Sequence, residues 1–293
     1  MTAAARARVA LATCAEETGL DEEGRVLLSA LAETGVAAVP AVWDDETVDW
    51  AGFDLVVVRS TWDYPRRLAA FLAWAEHVAS VGRLLNDVVL LRWTTDKVYL
   101  RGLEATGVPV VPSVFLAPGE DAEHLLLGVE HVVKPTVSAG SLDTLRLGAD
   151  DAARSVEHVR AIHASGRTAL VQPYLDAVDT HGETALVYLD GALSHAIRKG
   201  PLLASGAGLV EGLYAEEQID LREPDAAERE VGMRCLAALP VAAEPSLYAR
   251  VDLISDDEGP RVLEVELAEP SLFLQHADGA ADRFAAVIAG RLG

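Results

Sequence analysis

The feature that most limits how this chain can fold is a pair of charged segments near its end, LYARVDLI and RVLEVEL, separated by SDDEGP. Both alternate as strands do, so Arg250 and Asp252 share one face of the first strand. Glu264 and Glu266 share one face of the second. With SDDEGP as the turn, we expect Asp252 to lie beside Glu264. Arg250 then lies beside Glu266, which places three carboxylates on one face of a hairpin.

Such an acidic face requires an explanation. Carboxylates that face each other across a strand ladder repel one another and destabilise it. A Mg²⁺ ion prefers a few carboxylate oxygens together with phosphates and water, and it would reverse this penalty. The pattern is equally compatible with a solvated outer face that an Arg250–Glu266 ion pair stabilises, and the hairpin alone leaves both interpretations open.

Lysine is rare in this chain. Only Lys97, Lys134 and Lys199 occur among 24 basic residues. A compact ammonium on a flexible stem is suited to reaching a phosphate oxygen in a tight pocket. Lys134 also precedes the small residues 138–141, whose backbone N–H groups can approach phosphates closely. The pattern therefore favours a phosphate site, although three lysines that survived a compositional bias towards arginine are the simpler alternative.

The order of predicted elements indicates an open α/β lobe followed by antiparallel strands. The apolar run 53–60 is typical of a strand buried on both faces. Asp190 and Gly191 are typical of the turn of a β-hairpin. The predicted strands are 7–13, 36–43, 53–60, 131–135, 169–175, 187–189, 193–197, 247–254 and 261–267, with 108–116 extended. The predicted helices are 20–34, 66–81, 94–107, 150–164, 223–239 and 278–291.

Composition and missing motifs exclude several classes of protein. A net charge of −22 argues against binding nucleic-acid backbones. Cys14 and Cys235 provide neither a disulfide framework nor a zinc site. The short apolar run Val9–Ala15 suits a buried strand better than an export signal, and no stretch approaches membrane length, so we expect a cytoplasmic protein. No P-loop occurs, and GAGLVEG at 206–212 is only a near miss to the dinucleotide-binding motif.

Taken in order, the motifs NDVVLLRWTTDKVYL, VVKP, VQPYL, GETALVYLDG, RVDL and LEVE resemble those of the ATP-grasp superfamily. The resemblance is to the branch of glutathione synthetase-like and D-alanine–D-alanine ligase-like carboxylate–amine ligases, and it is strongest over 86–272. It implies an α/β (α+β) ATP-grasp fold, in which two α+β subdomains clamp ATP. The implied divisions are an N-terminal pre-ATP-grasp α/β domain (1–93), a central subdomain (94–175) and a C-terminal subdomain with the metal site (176–293).

The resemblance also implies roles for individual residues. Arg250 and Lys199 would be catalytic, with Arg250 binding phosphate. The hinge Gln172–Leu175 would contact adenine through its backbone, and Glu183 would bind the ribose. Many members have Asn where this chain has Glu266. The implied ligands of Mg²⁺, or alternatively Mn²⁺, are Asp252, Glu264 and Glu266. The implied ATP-binding residues are Lys97, Lys134, Ser141, Gln172, Pro173, Tyr174, Leu175 and Glu183.

In the reaction that this family implies, a substrate carboxylate attacks the γ-phosphate of ATP and an amine captures the resulting acyl phosphate. Metal and cationic groups are needed where the charge accumulates. Loops 136–146 and 200–213 are candidates for excluding water. We therefore expect an ATP-dependent carboxylate–amine ligase that acts on a small amino acid or peptide. The alternatives are a phosphotransferase of the same fold, acting on a small carboxylate or hydroxy acid, and a non-catalytic nucleotide-binding module.

Two further segments, RSTWDY and ELAEPSLFL, resemble those of a subgroup of small-molecule ligases that includes ring-closing members. In ring closure, the amine belongs to the same molecule as the activated carboxylate. Arg59, Asp63 and Ser271 are candidate substrate contacts by position, and Arg59 suits a carboxylate. Ordinary anchoring of loops is the alternative for all three. The resemblance also favours a homodimer.

Overall fold

The computed structural model describes residues 6–122, 128–201 and 218–293, and the described strands form three sheets. No helix in these ranges is both long and apolar enough to cross a membrane. The near-miss glycine motif at 206–212 and most of the loop 200–213 lie outside the described residues.

The first sheet is parallel and belongs to the N-terminal lobe. Its third strand is buried at every position, as expected for an apolar strand covered on both faces. Asp21 caps the first helix by accepting a hydrogen bond from the backbone N–H of Gly24 at 3.0 Å. The elements are β1 (Arg8–Thr13), α1 (Glu22–Glu33), β2 (Ala37–Val42), β3 (Leu55–Ser60), α2 (Leu68–Val81) and β4 (Leu84–Leu85), with strand order β2-β1-β3-β4.

The central part contains a four-stranded antiparallel sheet and three helices. The predicted helix 94–107 is wrong as a single element, because two short helices meet at a turn around Asp96. The side chain of Asp96 accepts a hydrogen bond from the backbone N–H of Val98 at 3.1 Å, and this local bond competes with a continuous helix. The elements are α3 (Val88–Thr94), α4 (Tyr99–Ala105), β5 (Val114–Leu116), β6 (His131–Pro135), β7 (Leu145–Leu147), α5 (Ala152–Ala164) and β8 (Ala169–Pro173), with strand order β5-β8-β6-β7.

The last part of the chain forms a five-stranded antiparallel sheet. Its first hairpin turns at Asp190 and Gly191, as predicted, and both residues have positive φ angles of 50° and 76°. The elements are α6 (Ala177–His181), β9 (Glu183–Leu189), β10 (Ala192–Lys199), β11 (Ile219–Arg222), α7 (Ala226–Ala237), β12 (Tyr248–Asp256), β13 (Gly259–Glu266) and α8 (Ala280–Gly290), with strand order β11-β10-β9-β12-β13.

The acidic hairpin of β12 and β13 has the predicted register, with Asp252 opposite Glu264 and Arg250 opposite Glu266. Its turn is shorter than the predicted SDDEGP, because the strands extend to Asp256 and from Gly259. Unbroken pairing would place Asp252 opposite Leu263, whether the turn comprises the two residues 257–258 or all six of SDDEGP. A β-bulge after Asp252 adds the extra residue that returns the two carboxylates to one face.

The N-terminal lobe and the last sheet share one hydrophobic core. Leu27 of α1 packs in the same buried cluster as Leu189 of β9, Tyr248 of β12 and Phe284 of α8. This shared core docks the carboxyl end of β3 against the segment that follows β13. Residues from all three sheets consequently meet around one cavity.

Candidate active site

A cavity of 530 Å³ lies where the three sheets meet. A volume of this order is typical of small-molecule sites. Trp62 of the N-terminal lobe, Lys134 of β6 and Glu183 of β9 all line it. The predicted site residues that line it are Lys97, Lys134, Ser141, Gln172, Pro173, Tyr174, Leu175, Glu183, Lys199, Arg250, Glu264, Glu266 and Ser271.

The three predicted metal ligands, Asp252, Glu264 and Glu266, form one cluster whose carboxylate oxygens lie within 4.8 Å of one another. Arg250 spans the cluster, because its guanidinium group donates to Asp252 at 2.9 Å and to Glu266 at 2.5 Å. Asp252 is fully buried and does not line the cavity, whereas both glutamates do. The cluster is therefore a partly buried carboxylate site that faces the cavity through its glutamates.

Lys199 fixes the buried end of this cluster. Its ammonium group lies 2.6 Å from Asp252 and 2.9 Å from Glu183, and 3% of the residue is exposed. Charge-assisted hydrogen bonds of this length are among the stronger interactions in a protein interior. Lys199 therefore connects Glu183 on β9, the predicted ribose-binding residue, to Asp252 of the carboxylate cluster on β12.

The other two lysines lie near Glu264. Lys97 donates to the backbone carbonyl of Ser138 at 2.9 Å and lies 3.6 Å from Glu264. Lys134 is 9% exposed and forms no ion pair within 4 Å in the described ranges. Burial lowers the pKa of Lys134, and the nearby Glu264 opposes this effect. Both ammonium groups are available to an anion in the cavity.

Glu264 and Glu266 have opposite pKa shifts, although they are neighbours on β13. Burial raises the pKa of Glu264, but Lys97, Lys134 and other cations reverse this effect and lower it below its usual value. Burial raises the pKa of Glu266 well above its usual value, and Arg250 opposes this effect without reversing it, because Glu264 and Asp252 repel the ionised form. A divalent cation would favour the ionised form of both side chains.

The outer edge of β13 is held by two residues that the sequence interpretation missed. Tyr99 donates to the carbonyl of Val265 at 3.1 Å and accepts from its N–H at 2.7 Å. Thr94 likewise bridges the carbonyl of Val265 and the N–H of Leu267. Because β13 is an edge strand, these hydroxyl groups replace the missing neighbour and fix the direction of Glu264 and Glu266.

The predicted adenine hinge is rigidly held. The backbone N–H of Tyr174 donates to the carbonyl of Glu130 at 2.8 Å, so it is not available to a ligand. The guanidinium carbon of Arg146 lies 3.4 Å from the centre of the Tyr174 ring. The N–H of Leu175 has no acceptor in the described residues. The backbone N–H of Leu175 is therefore available as a donor at this edge of the cavity.

Two of the predicted substrate contacts, Arg59 and Asp63, do not line the cavity, contrary to the prediction. Arg59 is buried in an ion pair with Glu23, and its guanidinium carbon lies 5.4 Å from the centre of the Tyr248 ring. Asp63 accepts a hydrogen bond from Trp43 at 2.8 Å and pairs with Arg67. The strand-end position of the two residues was predicted, but ion pairs with Glu23 and Arg67 occupy their charges.

Residues 267–272, which we call the 267–272 segment, have an unusual pattern of support. The segment is neither helix nor strand, and each of its six backbone carbonyls accepts a hydrogen bond from a side chain of a different residue. The donors, in order from Leu267 to Leu272, are Asn86 (2.7 Å), Tyr248 (2.7 Å), Trp62 (3.1 Å), Arg59 (3.3 Å), Arg250 (3.0 Å) and His195 (2.7 Å).

Glu269 of this segment also lines the cavity and was missed by the sequence interpretation. Burial raises the pKa of Glu269 to about 7. The nearby hydroxyl group of Tyr64 acts to lower the pKa of Glu269. The available signal was an acidic residue within LAEPSLFL, in which Ser271 is the other polar residue. Ser271, a predicted substrate contact, lines the same part of the cavity.

Comparisons with known proteins agree with this geometry. The family model described as D-cycloserine synthetase DcsG, N-terminal domain, matches residues 9–86. The cycloserine biosynthesis protein DcsG of Streptomyces lavendulae is 39% identical over 301 residues, which cover 97% of this chain and 98% of that protein.

Solved structures extend the similarity to the fold. The crystal structure of D-cycloserine synthetase DcsG matches with a TM-score of 0.90 and 38% identity, covering 98% of this chain and 100% of that chain. A complex of D-alanine–D-alanine ligase from Bacillus anthracis with ATP matches with a TM-score of 0.71, covering 99% and 97% respectively, and at 18% identity it shows the fold alone. The predicted ATP-grasp fold and enzyme class are confirmed. The chain belongs to the DcsG family of ATP-grasp enzymes and is an ATP-dependent ligase.

Proposed function

We propose that this ligase closes a ring within one small amino-acid-like substrate, as an O-ureidoserine cyclo-ligase of cycloserine biosynthesis does. The substrate carboxylate attacks the γ-phosphate of ATP, and a nitrogen of the same molecule captures the acyl phosphate with release of phosphate. The observation that supports this proposal is the 39% identity to a cycloserine biosynthesis protein over nearly the full length of both chains. A cavity shared by three sheets also suits a small molecule bound beside a nucleotide.

The carboxylate cluster fits a divalent cation. Three oxygen donors within 4.8 Å of one another form the hard ligand set that Mg²⁺ prefers, and Mn²⁺ accepts the same ligands. The oxygens of Asp252 already accept hydrogen bonds from Arg250 and Lys199. A carboxylate oxygen has two lone pairs, so Asp252 keeps capacity for a metal. When bound, the ion supplies positive charge that neutralises the phosphates.

The basic side chains around the cluster would have different roles in binding the nucleotide. Lys97 and Lys134 would bind phosphate oxygens, since both ammonium groups face the cavity beside Glu264. Arg250 would stabilise the charge that develops on the transferred phosphoryl group. Lys199 would hold Asp252 and Glu183 in place rather than move, because both partners already lie within 2.9 Å. These ammonium and guanidinium groups are in position before the reaction, so the side chains would need to move little to reach the transition state.

The two ends of the cavity would take the two substrates. Gln172–Leu175 and Glu183 would receive adenine and ribose. Ser141 lies in the small-residue loop beside the expected phosphate positions and lines the same cavity. At the other end, Ser271 and the aromatic side chains of Trp62 and Tyr64 enclose the space next to Arg250. Water would be excluded from the acyl phosphate mainly at this end.

The reaction can be tested with purified protein, Mg²⁺, ATP and O-ureidoserine. We expect equal amounts of ADP and phosphate, together with a cyclised product identified by mass spectrometry. Serine, which lacks the ureido nitrogen, is the matched control and should give no ring. ADP formation with a stable phosphorylated substrate and no free phosphate would instead indicate a phosphotransferase. No ADP formation with any amino acid or dipeptide would contradict the proposed reaction.

We also propose that the protein acts as a homodimer in the cytoplasm. The dimer is suggested by the similarity to related ligases, and the cytoplasm by the requirement for ATP. Light scattering should then give a mass of about twice 31.1 kDa. A mass of 31.1 kDa at micromolar concentration would show that the ligase is a monomer.

A further inference from the structure

Glu269 is a buried carboxylate that faces the cavity without a cationic partner. Its residue is 7% exposed, and it forms no ion pair within 4 Å in the part of the chain that the structure describes. The phenol of Tyr64 lines the same cavity as Glu269 and is uncharged, so it does not neutralise the carboxylate. Burying a carboxylate without a paired cation is costly. A ligand that brings a positive charge to this point would remove that cost.

The position of Glu269 is fixed before any ligand arrives. Its own carbonyl accepts a hydrogen bond from the indole of Trp62 at 3.1 Å. The carbonyls on either side are held by Tyr248 at 2.7 Å and by Arg59 at 3.3 Å. A site whose backbone is held at every residue presents its charged group with little loss of conformational freedom on binding. The 267–272 segment therefore presents Glu269 as a preorganised group.

The surroundings of Glu269 favour an ammonium ion. Trp62, Tyr64 and Phe273 line the same cavity, and aromatic rings attract cations through their faces. Burial raises the pKa of Glu269 to about 7, while Lys97 and Arg250 act in the opposite direction. Glu269 thus lies within electrostatic reach of the residues proposed to bind phosphate. A cation bound to it would lie close to the reacting carboxylate, as the ammonium group of an α-amino acid does.

We propose that Glu269, held by the 267–272 segment beside Trp62 and Tyr64, binds the ammonium group of an α-amino-acid substrate. This inference rests on the proposed function, because it names the substrate group that orients the reacting carboxylate. Glu269 is then a specificity-determining residue. Arg59 and Trp62 are positioning residues, since each holds a carbonyl of the segment.

The test compares two enzymes with two probes. The enzymes are the natural protein and Glu269→Gln, and the probes are O-ureidoserine and 3-(ureidooxy)propionate, which lacks only the α-amino group. Their dissociation constants are measured by calorimetry with Mg²⁺ and a non-hydrolysable ATP analogue. We expect the natural enzyme to prefer the amine-bearing probe by about 10- to 100-fold, the range for a hydrogen bond between charged groups. In Glu269→Gln, the preference should fall to within about 3-fold, because the charged partner is absent.

Three controls separate this role from a structural one. Glu104→Gln changes an exposed residue of α4 and should leave the preference unchanged. The affinity of Glu269→Gln for the ATP analogue should equal that of the natural enzyme. Glu269→Asp retains the charge, so it should keep a weakened preference for the amine even if the glutamine variant folds poorly. An equal preference in the natural enzyme and Glu269→Gln, or a natural enzyme that does not distinguish the probes, would overturn the inference.

Binding and turnover separate this inference from the reaction on which it rests. A clear amine preference that depends on Glu269, without ring closure, would refute the proposed reaction and retain the role of Glu269. Ring closure without any amine preference would refute the role of Glu269 and retain the proposed reaction.

Discussion

Asp252 and Glu264 carry the same charge on the same face of the hairpin, but we expect the fold to respond differently when each is neutralised. Asp252 is fully buried and accepts hydrogen bonds from Lys199 at 2.6 Å and from Arg250 at 2.9 Å. Glu264 has 19% of its side chain exposed to the cavity, and the ammonium group of Lys97 lies 3.6 Å away. Asp252→Asn should therefore destabilise the protein far more than Glu264→Gln.

The difference can be worked out from these surroundings. Removing one partner of a buried ion pair costs about 3–5 kcal/mol, and asparagine keeps one acceptor oxygen, so we expect about 3 kcal/mol for Asp252→Asn. At about 2–4 °C per kcal/mol, this lowers the melting temperature by roughly 6–12 °C. Ion pairs with partial exposure contribute up to about 1 kcal/mol, so Glu264→Gln should lower it by less than about 4 °C.

The measurement is thermal unfolding in EDTA without nucleotide, so that neither metal nor ATP contributes to stability. Turnover is measured separately as ADP release, and both variants should lose at least about 100-fold, as expected when a charged group is removed from a phosphoryl-transfer site. Glu104→Gln serves as the control for a harmless change of the same type. Equal melting temperatures for Asp252→Asn and Glu264→Gln would refute the reasoning from burial, even if both were inactive.

Two other predictions concern packing and reactivity. Gly232→Ala should lower stability by about 1–3 kcal/mol, because the added Cβ would lie 2.1 Å from the hydroxyl oxygen of Tyr188. Gly102→Ala, which meets nothing within 4 Å, is the matched control and should be neutral or stabilising in the same melting assay. Cys14 and Cys235 should react with a thiol reagent only after unfolding, since both are buried and burial raises the pKa of Cys235 to about 12. Rapid labelling of the native protein would contradict this.

The sequence predicted those parts of the site that lie on regular elements. Strand alternation was enough to place Arg250 and Asp252 on one face of β12, and Glu264 and Glu266 on one face of β13. Because lysine is rare in this chain, Lys97, Lys134 and Lys199 could be predicted as candidate site residues, and all three line the cavity. Their proximity could be inferred from the family resemblance, since the motifs that contain them occur in a fixed order.

Features that depend on distant contacts could not be predicted in the same way. The bulge after Asp252 corrects the register of a hairpin whose turn is two residues shorter at each end than SDDEGP suggests. Arg59 was correctly placed at the end of a strand, but its partner Glu23 lies 36 residues away. Glu269 was overlooked because what distinguishes it is the lack of a basic partner among the described residues that pack around it, and the sequence does not show which residues those are. None of these relations leaves a periodic signal in the sequence.

The 267–272 segment explains how a lobe outside the nucleotide site can influence substrate choice. Asn86, Trp62 and Arg59 of the N-terminal lobe hold three of its carbonyls, and residues of the last sheet hold the other three. The segment is therefore complete only when the lobe and the sheet are docked through their shared core. The family model that names D-cycloserine synthetase matches 9–86, which includes all three N-terminal donors. Because these donors act on the backbone that carries Glu269, the lobe can influence substrate choice through that backbone as well as through the cavity-lining rings of Trp62 and Tyr64.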